Sequence, residues 1–178
     1  HVHFRPLDPD YVELRYVNDP GVITQRVKVQ VDKSKPGELV RGGHWDHELF
    51  STREWPSKEL LDVVSPRNPV ILSRVDGHSV LVNSYVLNAS GITENTPDPF
   101  GGEIQKDPVT KKPTGILKET AMDLIKTGAV ETVRTAKEIE EKTWQGYLLA
   151  LKEARELGVT SVQVPGSADF EMYEKLQN

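Results

Sequence analysis

His1 and His3, two residues apart, have the spacing of a pair of metal ligands. Alternate residues of a β-strand point to the same side, so two such imidazoles can reach one ion. Neutral imidazole is a good ligand for zinc, iron and nickel. The alternative is a chance pair, and a catalytic zinc usually needs about three protein ligands and a water. The spacing therefore predicts part of a metal site and not a complete one.

A second polar cluster, residues 44–48, follows a Gly-Gly pair and reads His-Trp-Asp-His-Glu. Glycines let a ligand approach the backbone closely, and Asp46 is placed to orient His47 or to meet a substrate. In the alternative interpretation Asp46 caps a turn and Trp45 packs on the core. The residues themselves favour neither interpretation, and we take Trp45, Asp46 and His47 as candidate substrate-binding residues.

Arg74, Asp76 and His78 come at the end of a short apolar run. Residues 68–75 are rich in β-branched side chains and are bounded by proline and Asp-Gly, which predicts a buried strand and a turn. Ligands of α/β sheets and barrels bind at the carboxyl ends of strands. We favour a substrate-binding Arg74 and catalytic roles for Asp76 and His78 over an Arg–Asp pair that only holds the turn.

Lys118 and Glu119 are adjacent ionisable residues in the second half of the chain. Glu119 could bridge metal ions, and Lys118 could do the same after its amine had added carbon dioxide. On the residues alone, a surface ion pair at the start of a helix is the better interpretation.

The elements that position these residues can be predicted in part. Residues 79–89 have helical spacing and are followed by Gly91. Residues 102–106 and 114–118 read as the two arms of a hairpin with a polar turn between them. The chemistry-bearing residues therefore lie on short strands and their connections.

A longer helix is predicted over residues 136–157. Thr135 and Glu138 form a capping box, and the apolar residues follow a period near 3.6. Residues 159–164 then predict a strand, so that this part of the chain is an αβ unit.

The first forty residues are ambiguous. Residues 27–31 alternate like a strand, whereas the longer window of residues 23–35 fits a surface helix. Residues 39–43 predict a strand that leads into the Gly-Gly pair.

The composition excludes several classes of protein. The chain has 178 residues, of which 37% are hydrophobic and 28% are charged, and its net charge is −5. Nonspecific nucleic-acid binding needs a basic face, and crossing a bilayer needs roughly 20 apolar residues in a row; neither is present. With no cysteine, disulfides and thiol nucleophiles are also excluded.

Taken in order, the motifs resemble the amidohydrolase superfamily, in particular the branch of N-substituted formamide deformylase. The resemblance is carried by the segments HVHF, GGHWDHELF, STREWPSKELLDVVSP, NPVILSRVDGHSVLVNSYVL, ITENTPDPFGGEIQKDPVTKKPTGILKETAMDL and EARELGVTSVQ. It is nearly unbroken over residues 42–123, returns over residues 144–164 and is poor over residues 5–40.

The resemblance implies an α/β fold, namely part of a distorted (β/α)₈ barrel. Residues 1–38 would begin the barrel, residues 39–117 would be an α+β insertion near its mouth, and residues 118–178 would supply a barrel helix and strand. It also favours the helical interpretation of residues 23–35.

The resemblance further implies hydrolysis of an amide-type C–N bond in a small molecule by one or two divalent ions. We expect zinc, with iron, nickel and manganese as alternatives. Its ligands would be His1, His3 and Glu119, with a carboxylated Lys118 as the alternative to Glu119. We expect no nucleic-acid or membrane partner and a cytoplasmic location, although an upstream targeting segment could be missing; self-association is left open.

One departure from the family pattern limits this expectation. The superfamily also has two later histidines and a late aspartate, whereas the last histidine of this chain is His78. A whole barrel takes roughly 250 residues. We therefore expect a fragment that is inactive by itself. The alternatives are an inactive amidohydrolase-like binding segment, or an α/β enzyme without metal that uses His78 as its base.

Overall fold

The structure is a computed structural model that describes residues 7–126, residues 135–161 and Glu174. The chain divides into two units, one formed by Asp10–Thr132 and the other by His1–Pro9 with Val133–Asn178. The candidate ligands His1 and His3 lie outside the described residues, as do residues 162–164 of the last predicted strand.

The larger unit contains a six-stranded mixed sheet with the strand order β1-β2-β3-β4-β6-β5. The first three strands are parallel, β4 is antiparallel to both β3 and β6, and β5 and β6 form an antiparallel hairpin. The strands are β1 Val12–Glu13, β2 Val40–Trp45, β3 Val70–Arg74, β4 Ser79–Val82, β5 Gly102–Lys106 and β6 Pro113–Glu119.

Three α-helices of this unit and one of the smaller unit are described. They are α1 Pro20–Val31, α2 Glu59–Asp62, α3 Ser84–Ser90 and, in the smaller unit, α4 Ala136–Glu156, and two short 3₁₀ turns cover His47–Leu49 and Thr120–Leu124. The side chain of Asp19 caps α1 by accepting from the backbone N–H of Gly21. The predicted capping box is present at the start of α4. The predictions of a helix in the window of residues 23–35 and of a helix over residues 136–157 are therefore confirmed.

The strands predicted around the polar motifs are also confirmed. The strand predicted over residues 68–75 is β3, that over residues 39–43 is β2, and the predicted hairpin is formed by β5 and β6. The single helix predicted over residues 79–89 was wrong, because residues 79–82 form β4 and the helix begins only at Ser84. All four residues of β4 are buried between two neighbouring strands, and periodicity does not separate such a fully buried strand from a helix.

The sheet separates two hydrophobic clusters. Leu81 lies on one face, in the cluster that includes Ile23 and Val27 of α1. Val80 and Val82 lie on the other face, in the cluster that includes Leu87 of α3. Because both faces of the sheet are covered by apolar side chains, its strand ends and connections are left to carry the polar residues.

Asn83 connects several elements from inside this core. It is fully buried, and its amide oxygen accepts from the backbone N–H groups of Val70 and Val86 at 3.2 Å each. Its amide nitrogen donates to Ser65 and to the backbone carbonyl of Asn68 at 2.8 Å. This one side chain therefore joins β3, the start of α3 and the loop before β3.

Candidate active site

Four strands end at the same edge of the sheet. β1, β2 and β3 are parallel, and β6 runs in their direction because both β3 and β6 are antiparallel to β4. We term this side, where Glu13, Trp45, Arg74 and Glu119 end their strands, the carboxyl edge. It is the edge at which α/β proteins bind ligands.

A cavity of about 500 Å³ opens at the carboxyl edge. This volume is within the range of small-molecule sites, roughly 300 to 1,000 Å³. Five of the residues singled out from the sequence contribute to its wall, together with Trp55, Glu103 and three small residues. The complete lining is Trp55, Arg74, Asp76, His78, Ser79, Gly101, Gly102, Glu103, Lys118 and Glu119.

Arg74 forms the centre of an ion cluster in the wall of the cavity. Its guanidinium contacts the carboxylates of Asp76 and Asp46, the latter at 3.3 Å. Asp76 also accepts the backbone N–H of His78 at 2.9 Å. Partial burial alone would raise the pKa of Asp76, but the His78 N–H and the Arg74 guanidinium hold it below its ordinary value. The Arg74–Asp76 pair of the alternative interpretation is therefore present. Arg74 nevertheless also faces the cavity.

His78 and Glu119 form a second ion pair on the same wall. The Nδ1 atom of His78 lies 3.0 Å from Oε2 of Glu119, and the backbone N–H of Glu119 donates to the His78 carbonyl at 2.9 Å. The hydrogen bond and the charge of Glu119 raise the pKa of His78. Glu119 adopts a φ of 50°, a region that non-glycine residues seldom occupy and that is enriched at functional sites.

Trp55 was not among the candidate residues predicted from the sequence. Its ring centre lies 4.3 Å from the ring centre of His47, 4.7 Å from Nζ of Lys118 and 5.4 Å from the guanidinium carbon of Arg74. Such cation–π contacts hold a charged group in place. A large aromatic residue in the otherwise polar segment of residues 51–58 is the signal that could have found it.

Trp45, Asp46 and His47 lie behind the cavity and do not line it. Trp45 is fully buried, and its indole N–H donates to the carbonyl of Leu72 at 2.9 Å. Asp46 caps the 3₁₀ turn by accepting the N–H of Glu48 and contacts Arg74. His47 is buried, and desolvation together with the nearby Arg74 charge lowers its pKa. These three residues support Trp55 and Arg74 from behind.

The described residues do not by themselves fit a metal site. Within residues 7–126 and 135–161, no three His, Asp or Glu side chains are grouped to hold an ion. Glu119 is paired with His78, and Lys118 lies 3.1 Å from Glu103. The Lys118 ammonium also lies 4.7 Å from the ring centre of Trp55.

The sequence profile of the amidohydrolase family matches residues 1–178. The chain belongs to the amidohydrolase family. This confirms the resemblance found in the sequence motifs.

Curated relatives of this amidohydrolase-family chain are considerably longer. It is 34% identical over 185 residues to the protein LONG AFTER FAR-RED 3 of Arabidopsis thaliana, covering 100% of the chain and 30% of that protein. It is 37% identical over 114 residues to the amidohydrolase YtcJ of Bacillus subtilis, covering 64% of the chain and 21% of YtcJ. It is 39% identical over 90 residues to an N-substituted formamide deformylase of Arthrobacter pascens, covering 51% and 16%. The chain spans less than a third of the length of each.

Solved structures support the fold. An uncharacterized metal-dependent hydrolase of Pyrococcus furiosus superposes with a TM-score of 0.53 at 23% identity, over 94% of this chain and 36% of that one. A counterpart from Pyrococcus horikoshii gives 0.52 at 21% identity, over 94% and 35%. The mixed α/β fold of this amidohydrolase-family chain is therefore shared with metal-dependent hydrolases. Among the described residues, no helix has the length and apolar character to cross a membrane.

Proposed function

We propose that this chain is part of a metal-dependent hydrolase that cleaves an amide-type C–N bond, other than a peptide bond, in a small molecule. The observation that carries the proposal is the cavity at the carboxyl edge, which brings Arg74, His78 and Glu119 together in a chain of the amidohydrolase family. The parallel strands of the larger unit and the helices that cover them are consistent with the fold of such a hydrolase.

We propose further that the chain is part of a distorted (β/α)₈ barrel. Residues 1–38 and 118–178 would supply barrel elements, and residues 39–117 would form an insertion beside the barrel mouth. The structural likeness to metal-dependent hydrolases over 94% of the chain supports this arrangement.

The metal would be held by His1, His3 and Glu119. Glu119 is preferred to Lys118 because a carboxylate can bind a divalent ion directly, whereas Lys118 would first have to add carbon dioxide. Zinc is the expected ion, with iron, nickel or manganese as alternatives. Such an ion, when bound, polarises a carbonyl and lowers the pKa of a water molecule.

The residues of the cavity wall would bind the substrate and carry its proton. Arg74 would hold a carboxylate or carbonyl oxygen of the substrate, oriented by Asp76 and by the Trp55 ring. The Nδ1 atom of His78 faces Glu119, so its Nε2 is the atom that would donate a proton to the departing nitrogen. The hydrogen bond and the charge of Glu119 raise the pKa of His78, which favours its role as a proton donor.

The proposal is tested by metal analysis and by a matched pair of variants in the full-length protein. We expect about one or two divalent ions per chain and loss of both metal and turnover when His1 and His3 are changed to alanine. Glu119→Gln should lower kcat by at least about tenfold, the effect expected of a catalytic group. The neighbouring Lys118→Arg should retain most of the activity. A metal-free protein whose turnover survives the double alanine change would disprove the proposal.

A second candidate is an amidohydrolase-like segment that binds a small molecule without cleaving it. It is favoured by the lack of a three-ligand group within the described residues and by the ion pairs that already engage Arg74 and Lys118. A full-length protein that binds simple amides but neither retains metal nor turns them over would support it. Turnover that survives a chelator would instead support a metal-independent α/β enzyme with His78 as its base.

A further inference from the structure

The carboxyl edge carries a second His–Glu pair, which lies outside the cavity wall. The Nδ1 atom of His44 in β2 lies 2.9 Å and 3.0 Å from the two carboxylate oxygens of Glu13 at the end of β1. A carboxylate only accepts hydrogen bonds, so this contact places the proton of a neutral His44 on Nδ1. The lone pair of Nε2 is then free, and within the described part of the chain no group bonds to that atom.

The backbone directs His44 to this position. Gly43 pairs with Ser73 and Trp45 pairs with Arg74, so His44 is the extra residue of a β-bulge. Its φ is 66°, which a non-glycine residue adopts only when its surroundings require it. Bulges next to active sites change the direction in which one side chain points.

The packing around the bulge keeps His44 in place. A side chain at Gly43 would overlap the hydroxyl of Ser73 and would lie 2.6 Å from that of Tyr11. Those two hydroxyls lie 3.3 Å apart, and the Tyr11 ring centre is 5.6 Å from that of His44. The imidazole is nonetheless open to solvent, with 34% of its side chain exposed.

We propose that His44 is a substrate-contacting residue whose Nε2 accepts a hydrogen bond from an N–H or O–H group of the substrate. This rests on the proposed function, because it takes the substrate to be bound at the carboxyl edge. Neighbouring strands are about 4.8 Å apart. The His44–Glu13 pair lies on β2 and β1, up to two strand spacings from Arg74 on β3. A substrate that contacts both Arg74 and this pair therefore extends roughly 10 Å along the carboxyl edge. The substrate class is an amide with a hydrogen-bond donor at the end remote from His78.

The competing explanation is that the His44–Glu13 pair only holds β1 against β2. The His44→Asn variant distinguishes this structural role from a role in substrate binding. The asparagine amide can still donate to Glu13, and asparagine tolerates the left-handed conformation, but it has no counterpart of Nε2. We expect unchanged thermal unfolding and a loss of about tenfold in kcat/KM of the full-length protein, the effect of one hydrogen bond to the substrate. Unchanged kcat/KM in a folded His44→Asn protein would overturn the inference and leave the proposed function standing.

A binding experiment on the 178-residue chain decides the inference even if no turnover is found. Long-range ¹H–¹⁵N spectra should show His44 with its proton on Nδ1. Titration with acetamide, which has N–H donors, should shift the Nε2 resonance of His44 in a saturable way, whereas acetone, of the same size but without a donor, should not. Equal responses to both probes, or no response, would overturn the role of His44. Resonance shifts confined to the residues of the cavity wall would also overturn the role of His44, but they would support the proposed site.

Discussion

Glu119 raises the pKa of His78 more than any other neighbour does, and the charge of Asp76 adds a smaller effect. The His78 imidazole and the Glu119 carboxylate are both more than half exposed, so solvent screens their attraction and the pair contributes little to stability. In the proposed function the pair matters because it raises the pKa of His78, and a histidine with a raised pKa remains a proton donor closer to neutral pH.

The first prediction concerns the pH dependence of this pair. Glu119 raises the pKa of His78 above its ordinary value of 6.5, which is close to the value in the unfolded chain. The stabilising effect of the pair is therefore fully present below about pH 6.5 and is lost as the pH rises through the folded-state pKa. An NMR titration should show a higher pKa for His78 in the wild type than in Glu119→Gln. Identical titration curves would contradict the pairing.

The difference in unfolding temperature between these two proteins provides a second measurement. It should be larger at about pH 5 than at about pH 9, because His78 is charged only at the lower pH. A difference that grew with rising pH would have the wrong sign for a histidine stabilised by a carboxylate.

Contacts between residues that are far apart in the sequence could not be predicted, and they limit how much of the site the sequence reveals. Arg74, Asp76 and His78 were found because they lie at the end of one strand, whereas Lys118 and Glu119 became candidate ligands only through the family resemblance. The pairing of Glu13 with His44 joins residues 31 positions apart, and Trp55 contacts Lys118 from a distant part of the chain. No local pattern encodes such contacts, because they arise only when β1, β2 and β6 assemble into one sheet.

Among the elements, β4 depends most on its neighbours for its conformation. Its spacing of apolar residues fitted a helix, yet pairing with β3 and β6 on its two sides makes it a strand. α4, in contrast, was predicted correctly from its capping box and period, since these signals are local. Elements whose signals lie within themselves could be predicted from the sequence, and elements determined by their partners could not.

The second prediction concerns Asn83, which joins these elements. Asn83→Ala removes a fully buried side chain and leaves the N–H groups of Val70 and Val86 without their acceptor. We expect a loss of about 3 kcal/mol in the free energy of unfolding, because each unsatisfied buried group costs about 1 to 3 kcal/mol.

Chemical denaturation monitored by circular dichroism measures this loss. Asn88→Ala, at an exposed position of α3, the helix that Asn83 caps, is the matched control and should change stability by less than about 0.5 kcal/mol. Equal effects of the two variants would show that Asn83 does not hold these elements together.

At the level of the whole molecule, the larger unit contains what a folded domain needs. The six-stranded sheet, both hydrophobic clusters and the cavity lie within Asp10–Thr132. A chain of this size, on the order of 100 residues, buries enough apolar surface to fold alone.

The third prediction follows from this division. A protein made of residues 10–132 should unfold cooperatively in urea, with Trp45 and Trp55 fluorescence and far-ultraviolet circular dichroism changing together. Its His78 should titrate as in the longer chain, since Glu119 belongs to the same unit. Non-coincident transitions would show that the unit needs residues 1–9 or 133–178 to complete its fold.

The carboxyl edge also has a consequence for how such a protein can diverge. Glu13, Arg74 and Glu119 end three different strands, whereas the interior is filled by apolar side chains from the strands, helices and connections. If these residues contact the substrate as proposed, a mutation of one of them alters its own ion pair but leaves the hydrophobic interior in place. Specificity can be changed one residue at a time by natural selection, or by an engineer, while the scaffold remains the same.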